Sequence, residues 1–256
     1  MPLPQTVSIE LLTELNAFVT RDEIPDPFTQ ARIKRKIQNL RNAAPAEAEL
    51  CSAILHTINK NIDGVRNCYK DIFFYLPNDS DMHYNFAGSL FRLGYANEAL
   101  DHFMQALAGN RVSREIVHEI ANIANVTFRT DVLLNAIDMF IKASMDESIS
   151  TDVEVQPALD LAALMQDLAI EPTTANKIYQ AAECVILKFG CTVDRVRFFA
   201  SEDFGGSAMS LYAGIVADPA TVSEMNMALA DEYVDRDLLH LLPQVTYAFT
   251  PAPETI

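Results

Sequence analysis

Apolar residues recur every three or four positions through the first two thirds of the chain, the spacing that puts them on one face of a helix. Ile9, Leu11, Leu12, Leu15, Phe18 and Val19 form the first such stripe. Pro25 and Pro27 interrupt it, and the pattern resumes over about 28–43 until Pro45. Further helices are predicted over about 46–59, 62–75, 80–93, 96–108, 114–126 and 130–144. Helices of near-constant length joined by short turns predict stacked αα-hairpins, each burying its apolar face on the next. The polar stretch 146–152 breaks the run, and a further hairpin is predicted at about 156–169 and 173–189, with Gly190 as its stop.

Beyond residue 190 the period drops to two. Val196, Phe198 and Ala200 alternate with Arg195, Arg197 and Phe199; Met209, Leu211, Ala213 and Ile215 alternate over 207–216. With Asp203, Phe204, Gly205 and Gly206 between them, the two runs predict a β-hairpin. Asp218 and Pro219 mark a helix start, with Val222, Met225, Leu229 and Tyr233 on one face. Val245, Tyr247 and Phe249 alternate in a last strand before Pro251. The expected fold is therefore mainly α: stacked αα-hairpins, then a small α+β domain of β-β-α-β order covered by the helix at 173–189. The expected domains are 1–147, a connector at 148–190 and 191–256.

One stretch is more specific. Residues 80–113 place Tyr84, Asn85, Phe86 and Ala87 in a first helix, Leu93, Gly94 and Tyr95 at the turn, and Glu98, Ala99, Leu100, Phe103, Ala106 and Leu107 in a second. This unit resembles the tetratricopeptide repeat, departing from it where Val112 stands near the place of the closing proline. Residues 46–79 resemble a degenerate copy through Val65, Tyr69, Ile72, Phe73 and Pro77. The resemblance implies a solenoid whose first helices line a groove for peptide segments. Its groove-facing candidates here are Tyr84, Gly88, Phe91 and Arg92. Some members of the family grip a peptide C-terminus with Lys, Arg and Asn. Asp81, Tyr84 and Gly88 stand at those places, so an apolar groove is expected rather than carboxylate capture.

Charge changes this picture in the last part of the chain. The 256 residues carry 35 acidic and 19 basic side chains, a net charge of −16. Residues 1–143 hold 17 acidic and 14 basic side chains, whereas the last 113 residues hold 18 and 5. Broad binding to phosphate backbones or anionic lipid is disfavoured, so neither nucleic acid nor membrane is an expected partner. Asp231, Glu232, Asp235 and Asp237 cluster at a predicted helix end and form a second, weaker candidate surface for a basic partner. Arg32, Lys34, Arg35, Lys36 and Arg41 make one locally basic helix, expected to pair with the chain's own acidic C-terminal part; the alternative is contact with an acidic partner or RNA.

Candidate chemistry is sparse. His56, His83, His102, His118 and His240 belong to no nucleophile–base motif. His83 and His102 with Asp79 and Asp81 make a conceivable metal set, but 78–81 reads more simply as a helix start. Gly205 and Gly206 lack the lysine and helix of a phosphate loop, and Glu202 and Asp203 read as a solvated turn. Cys51, Cys68, Cys184 and Cys191 are too scattered for a disulfide framework and read as small apolar side chains. No secretory signal or membrane span is read, which suggests a cytoplasmic setting.

No catalytic residue, cofactor or metal is expected. The function expected is that of a non-enzymatic adaptor or chaperone-like protein that binds a peptide or protein segment. A homodimer through the C-terminal sheet is a further expectation. The alternatives are an immunity or inhibitor protein whose acidic surface blocks a basic toxin or nuclease, and an enzyme with its site in the α+β domain.

Overall fold

The computed structural model describes residues 4–191, 193–201 and 208–252. The chain is mainly helical with a small three-stranded sheet near its C-terminus. It divides into two compact units, Met1–Leu93 and Gly94–Ile256. The division falls inside the stretch 80–113.

The first unit contains α1 (Pro4–Arg21), α2 (Pro27–Leu40), α3 (Pro45–Ile58), α4 (Ile62–Tyr75) and α5 (Ser80–Arg92). Local chemistry sets these boundaries. The Asp26 carboxylate accepts from the amides of Phe28 and Thr29 at 2.9 and 3.1 Å, with Pro27 in the first turn of α2. Asn61 caps α4 through the Gly64 amide at 3.0 Å, and Asp79 caps α5 through the Met82 amide at 3.0 Å. The apolar stripes of α1, α2 and α3 meet in one core of Leu11, Leu15, Ile33, Ile37, Leu40, Ala48, Cys51, Leu55 and Ile58. Farther along, α4 and α5 join through rings: Tyr69 stacks on Phe86 at 4.3 Å between centroids and Phe73 on His83 at 4.4 Å. Each helix packs on its neighbours, an arrangement compatible with a helical repeat.

The second unit holds α6 (Ala96–Gly109), α7 (Arg114–Thr127), α8 (Thr130–Ser144), a 3₁₀ turn at Glu147–Thr151, α9 (Gln156–Asp167) and α10 (Pro172–Phe189). β1 (Val193–Ser201), β2 (Ala208–Ile215), α11 (Pro219–Asp235) and β3 (Val245–Pro251) follow. β1 pairs antiparallel with β2, and β2 pairs parallel with β3 across the α11 crossover, giving the order β1-β2-β3. The inner face of β2 (Met209, Leu211, Ala213, Ile215) and of β3 (Val245, Tyr247, Phe249) is buried. α10 and α11 pack against β3, supplying the helical cover a three-stranded sheet needs.

Phe128 ends α7 in the left-handed conformation at φ 61°, a place where glycine is usual. Its ring is fully buried against Tyr247, 6.4 Å away, so ring burial outweighs the backbone strain. Gly190, at φ 63°, ends α10 as expected. Among the described residues no helix is long and apolar enough to cross a membrane.

Candidate functional site

The end of α2, the start of α3 and the end of α4 enclose a groove of about 410 Å³, lined by Arg41, Pro45, Glu49, Asp71, Phe74 and Tyr75. Phe74 is 82% exposed and Tyr75 53%, and their rings meet edge to face at 5.4 Å. Both side chains lie outside the stripe by which α4 joins the core (Val65, Cys68, Tyr69, Ile72). Burial does not hold them in place, so they are available as anchors. Arg41 is fixed by Glu49, Nε to Oε1 at 2.9 Å, while Asp71 stands exposed beside the rings.

The candidate residues on α5 are set out differently. Tyr84 and Phe91 are half-buried, and Gly88 is exposed with open space where a Cβ would stand. Arg92 donates to the Val19 carbonyl and to the Asp22 carboxylate, the latter at 3.0 Å. A partner carboxylate would have to compete with Asp22 for that guanidinium.

The basic helix, α2, finds its counter-charges inside the first unit rather than in the acidic C-terminal part. Arg32 and Lys36 both bond Glu14 of α1, Lys36 at 2.9 Å, and Arg41 bonds Glu49 of α3. Burial pushes the Glu14 carboxyl up, but Lys36 and Arg32 outweigh it and hold the group below its ordinary value. Lys34 and Arg35 are exposed, with no ion pair among the described residues.

At the end of α11, Asp231, Asp235 and Asp237 are exposed. Glu232 is paired one helical turn on with Arg236, Oε2 to Nε at 2.8 Å, so the acidic cluster contains its own cation. Asp237 follows the helix in the left-handed conformation at φ 55°. Glu202, Asp203, Gly205 and Gly206 lie outside the described residues.

Asp79, His83 and the cysteines have defined surroundings. Asp79 is occupied by its cap, and His83 is buried against Phe73, where desolvation lowers its pKa. Burial pushes the Cys51 and Cys68 thiols up to about 12, which favours the protonated form at neutral pH. All four cysteines are free thiols.

Two polar clusters were not visible in the sequence. His118, Asp152 and Glu154 bring their ligand atoms within 4.8 Å of one another. The Asp152 oxygen that meets His118 Nε2 at 2.9 Å also accepts Arg114 Nη1 at 2.8 Å. Arg114 reaches Asp146 at 2.6 Å as well. A fixed guanidinium on that oxygen disfavours a metal cation there, and the cluster instead ties α7 to the link between α8 and α9.

In the second cluster, Glu183 of α10 accepts from the Asn97 amide at 3.1 Å and its side chain at 3.2 Å, capping α6 from a distant helix. Asn176 donates to Asn97 Oδ1 at 2.9 Å and to the Thr127 carbonyl at 2.8 Å. Burial raises the Glu183 pKa against the pull of those amides. The partners in each cluster stand 30 or more positions apart in the chain, beyond any local motif.

Compared with protein-family models, with curated proteins and with solved structures, the chain matches none of them.

Proposed function

We propose that this is a non-enzymatic interaction protein, adaptor- or chaperone-like, that holds a peptide or protein segment against the helices of its first unit. The observation that carries the proposal is the exposed pair Phe74 and Tyr75 at the lip of the groove between α2, α3 and α4. Large aromatic side chains left in water beside a concavity are the residue type that dominates binding energy once a partner covers them. Asp71 is exposed and Arg41 is already neutralised by Glu49. The complementary segment therefore carries an apolar anchor next to a basic side chain.

The tetratricopeptide-like pattern of 80–113 and the packing of consecutive helices support the same class of function. They also support a second contact through Tyr84, Gly88, Phe91 and Arg92 on α5.

The test is affinity capture from the native cell with the wild-type chain and with Phe74→Ala/Tyr75→Ala. Both side chains are exposed, so the double variant should unfold at the wild-type temperature while capture falls at least about tenfold. Undiminished capture would remove the groove from the proposal. Tyr84→Ala/Phe91→Ala, compared in the same way, tests the α5 contact.

A further inference from the structure

The sheet of the second unit has two edges, and the chain treats them differently. At β3, α11 supplies the backbone's missing partners. Asn226 donates to the Phe249 carbonyl and accepts from the Phe249 amide, both at 2.9 Å, and the Tyr233 hydroxyl donates to the Tyr247 carbonyl at 3.1 Å. At β1, among the described residues, no side chain or loop bonds to the outer backbone of residues 196–200. β1 is also the less covered strand: Phe199 is 54% exposed, Ala200 is exposed, and Val196 and Phe198 are half-buried. Their cross-strand neighbours Ala213, Leu211 and Met209 on β2 are buried. A nine-residue edge strand without proline or lysine is a template for pairing with another chain.

We propose that a second copy of this chain adds its β1 antiparallel to this edge, centred on Phe198, so that the two sheets become one. The sequence of β1 is self-complementary about that point. Phe198 then meets Phe198 of the second copy, and Val196 meets its Ala200, all on the face that carries the core. On the other face Arg197 meets the second copy's Phe199, and the reverse pair repeats it, giving two cation–π contacts. Centring on Arg197 would oppose two guanidinium groups, and centring on Phe199 would leave Arg197 without a ring. A register centred between residues would turn the core face of one sheet onto the solvent face of the other.

Charge favours the same edge. Arg195, Arg197 and Arg236 are the basic residues of 191–256, and two of them lie on β1. Two strongly acidic chains therefore approach with least repulsion there.

Sedimentation velocity of the full chain over a concentration series tests the proposal. A monomer–dimer equilibrium is expected. Arg197→Glu, on the solvent face, should weaken it about tenfold, while helical circular dichroism and the melting temperature stay at wild-type values. Under mild oxidation Phe198→Cys should form a covalent dimer, because directly opposed Cα atoms stand about 4.5–5.5 Å apart. Arg197→Cys and Phe199→Cys should not, since diagonal neighbours lie about 7–8 Å apart. The wild-type chain measures background cross-linking through its own cysteines. A wild-type chain that stays monomeric, a dimer indifferent to Arg197→Glu, or cross-linking faster at 197 or 199 than at 198 would each overturn the proposal.

Discussion

Both units set a pair of exposed aromatic rings beside an arginine, and the two arrangements do different things. In the first unit Phe74 and Tyr75 meet edge to face at 5.4 Å, next to an Arg41 that is bound to Glu49. In the second Phe199 and Tyr212 meet at 5.8 Å, and Arg197 stands opposite Tyr212 with no ion pair among the described residues. The residue types are the same; the neighbouring carboxylate and the backbone beneath them differ. A neutralised guanidinium in a helix-walled groove leaves the exposed rings and the Asp71 carboxylate as the groups open to a partner. A guanidinium and an outer strand backbone without partners among the described residues add a cation and a row of backbone groups, which suit pairing with a strand. In the readings proposed above, the first surface takes a foreign segment and the second takes a copy of this chain.

The largest effect expected from breaking this contrast comes from Asn226→Leu, which strips the β3 edge of its cover. It leaves the Phe249 amide and carbonyl unpaired, and urea unfolding should show a loss of about 2–4 kcal/mol. The β3 edge would then keep only the Tyr233 bond to its backbone, and light scattering should reveal species larger than dimers. An unchanged midpoint with no new association would mean that the two edges do not differ in the way described.

A smaller effect separates matched charges from unmatched ones by pH. Ser148 and Arg114 hold the Asp146 carboxyl below its ordinary value, and His118 with Arg114 does the same for Asp152. Groups held low in the folded state contribute stability that is complete above the unfolded value near 3.8 and is lost as pH falls through the folded value. The melting temperature should therefore drop below about pH 4, and less steeply in Arg114→Met. Equal slopes in the two proteins would show that the latch does not contribute.

The smallest effect on stability is expected for Glu49→Ala, about 1 kcal/mol for a pair whose arginine is half exposed and whose glutamate is largely buried. Its value lies in making the first surface resemble the second. With Arg41 released, peptide arrays should shift from basic towards acidic sequences around the apolar anchor. An unchanged preference would argue that Arg41 does not face the bound segment.

Much of the architecture was legible in advance because its signals are local. Asp26–Pro27, Asp218–Pro219 and Gly190 set helix ends through atoms a few residues away, and the change from a period near four to a period of two located β1, β2 and β3. The surfaces were harder to read. Phe74 and Tyr75 give no signal of their own in the helix at 62–75, because an exposed ring and a core ring look alike when the stripe is crowded with aromatics. Arg92 reads as groove-facing, and only the fold shows that a partner there competes with Asp22, 70 positions away. The basic helix was expected to use the acidic C-terminal part, and its counter-charges proved to be Glu14 and Glu49. Opposite charges pair by proximity after folding, and total charge by segment does not reveal which carboxylate is near.

By itself the sequence determined where the helices and strands lie, which face of each is apolar, and that acidity gathers in the last 113 residues. These properties follow from backbone geometry, capping groups and side-chain period, all of them decided within a few residues. Only the tertiary structure decided which exposed rings border a groove, which arginines are already matched, and which sheet edge α11 closes. Each of those depends on groups far apart in the chain meeting at hydrogen-bond distance, and it is the packed core that brings them together.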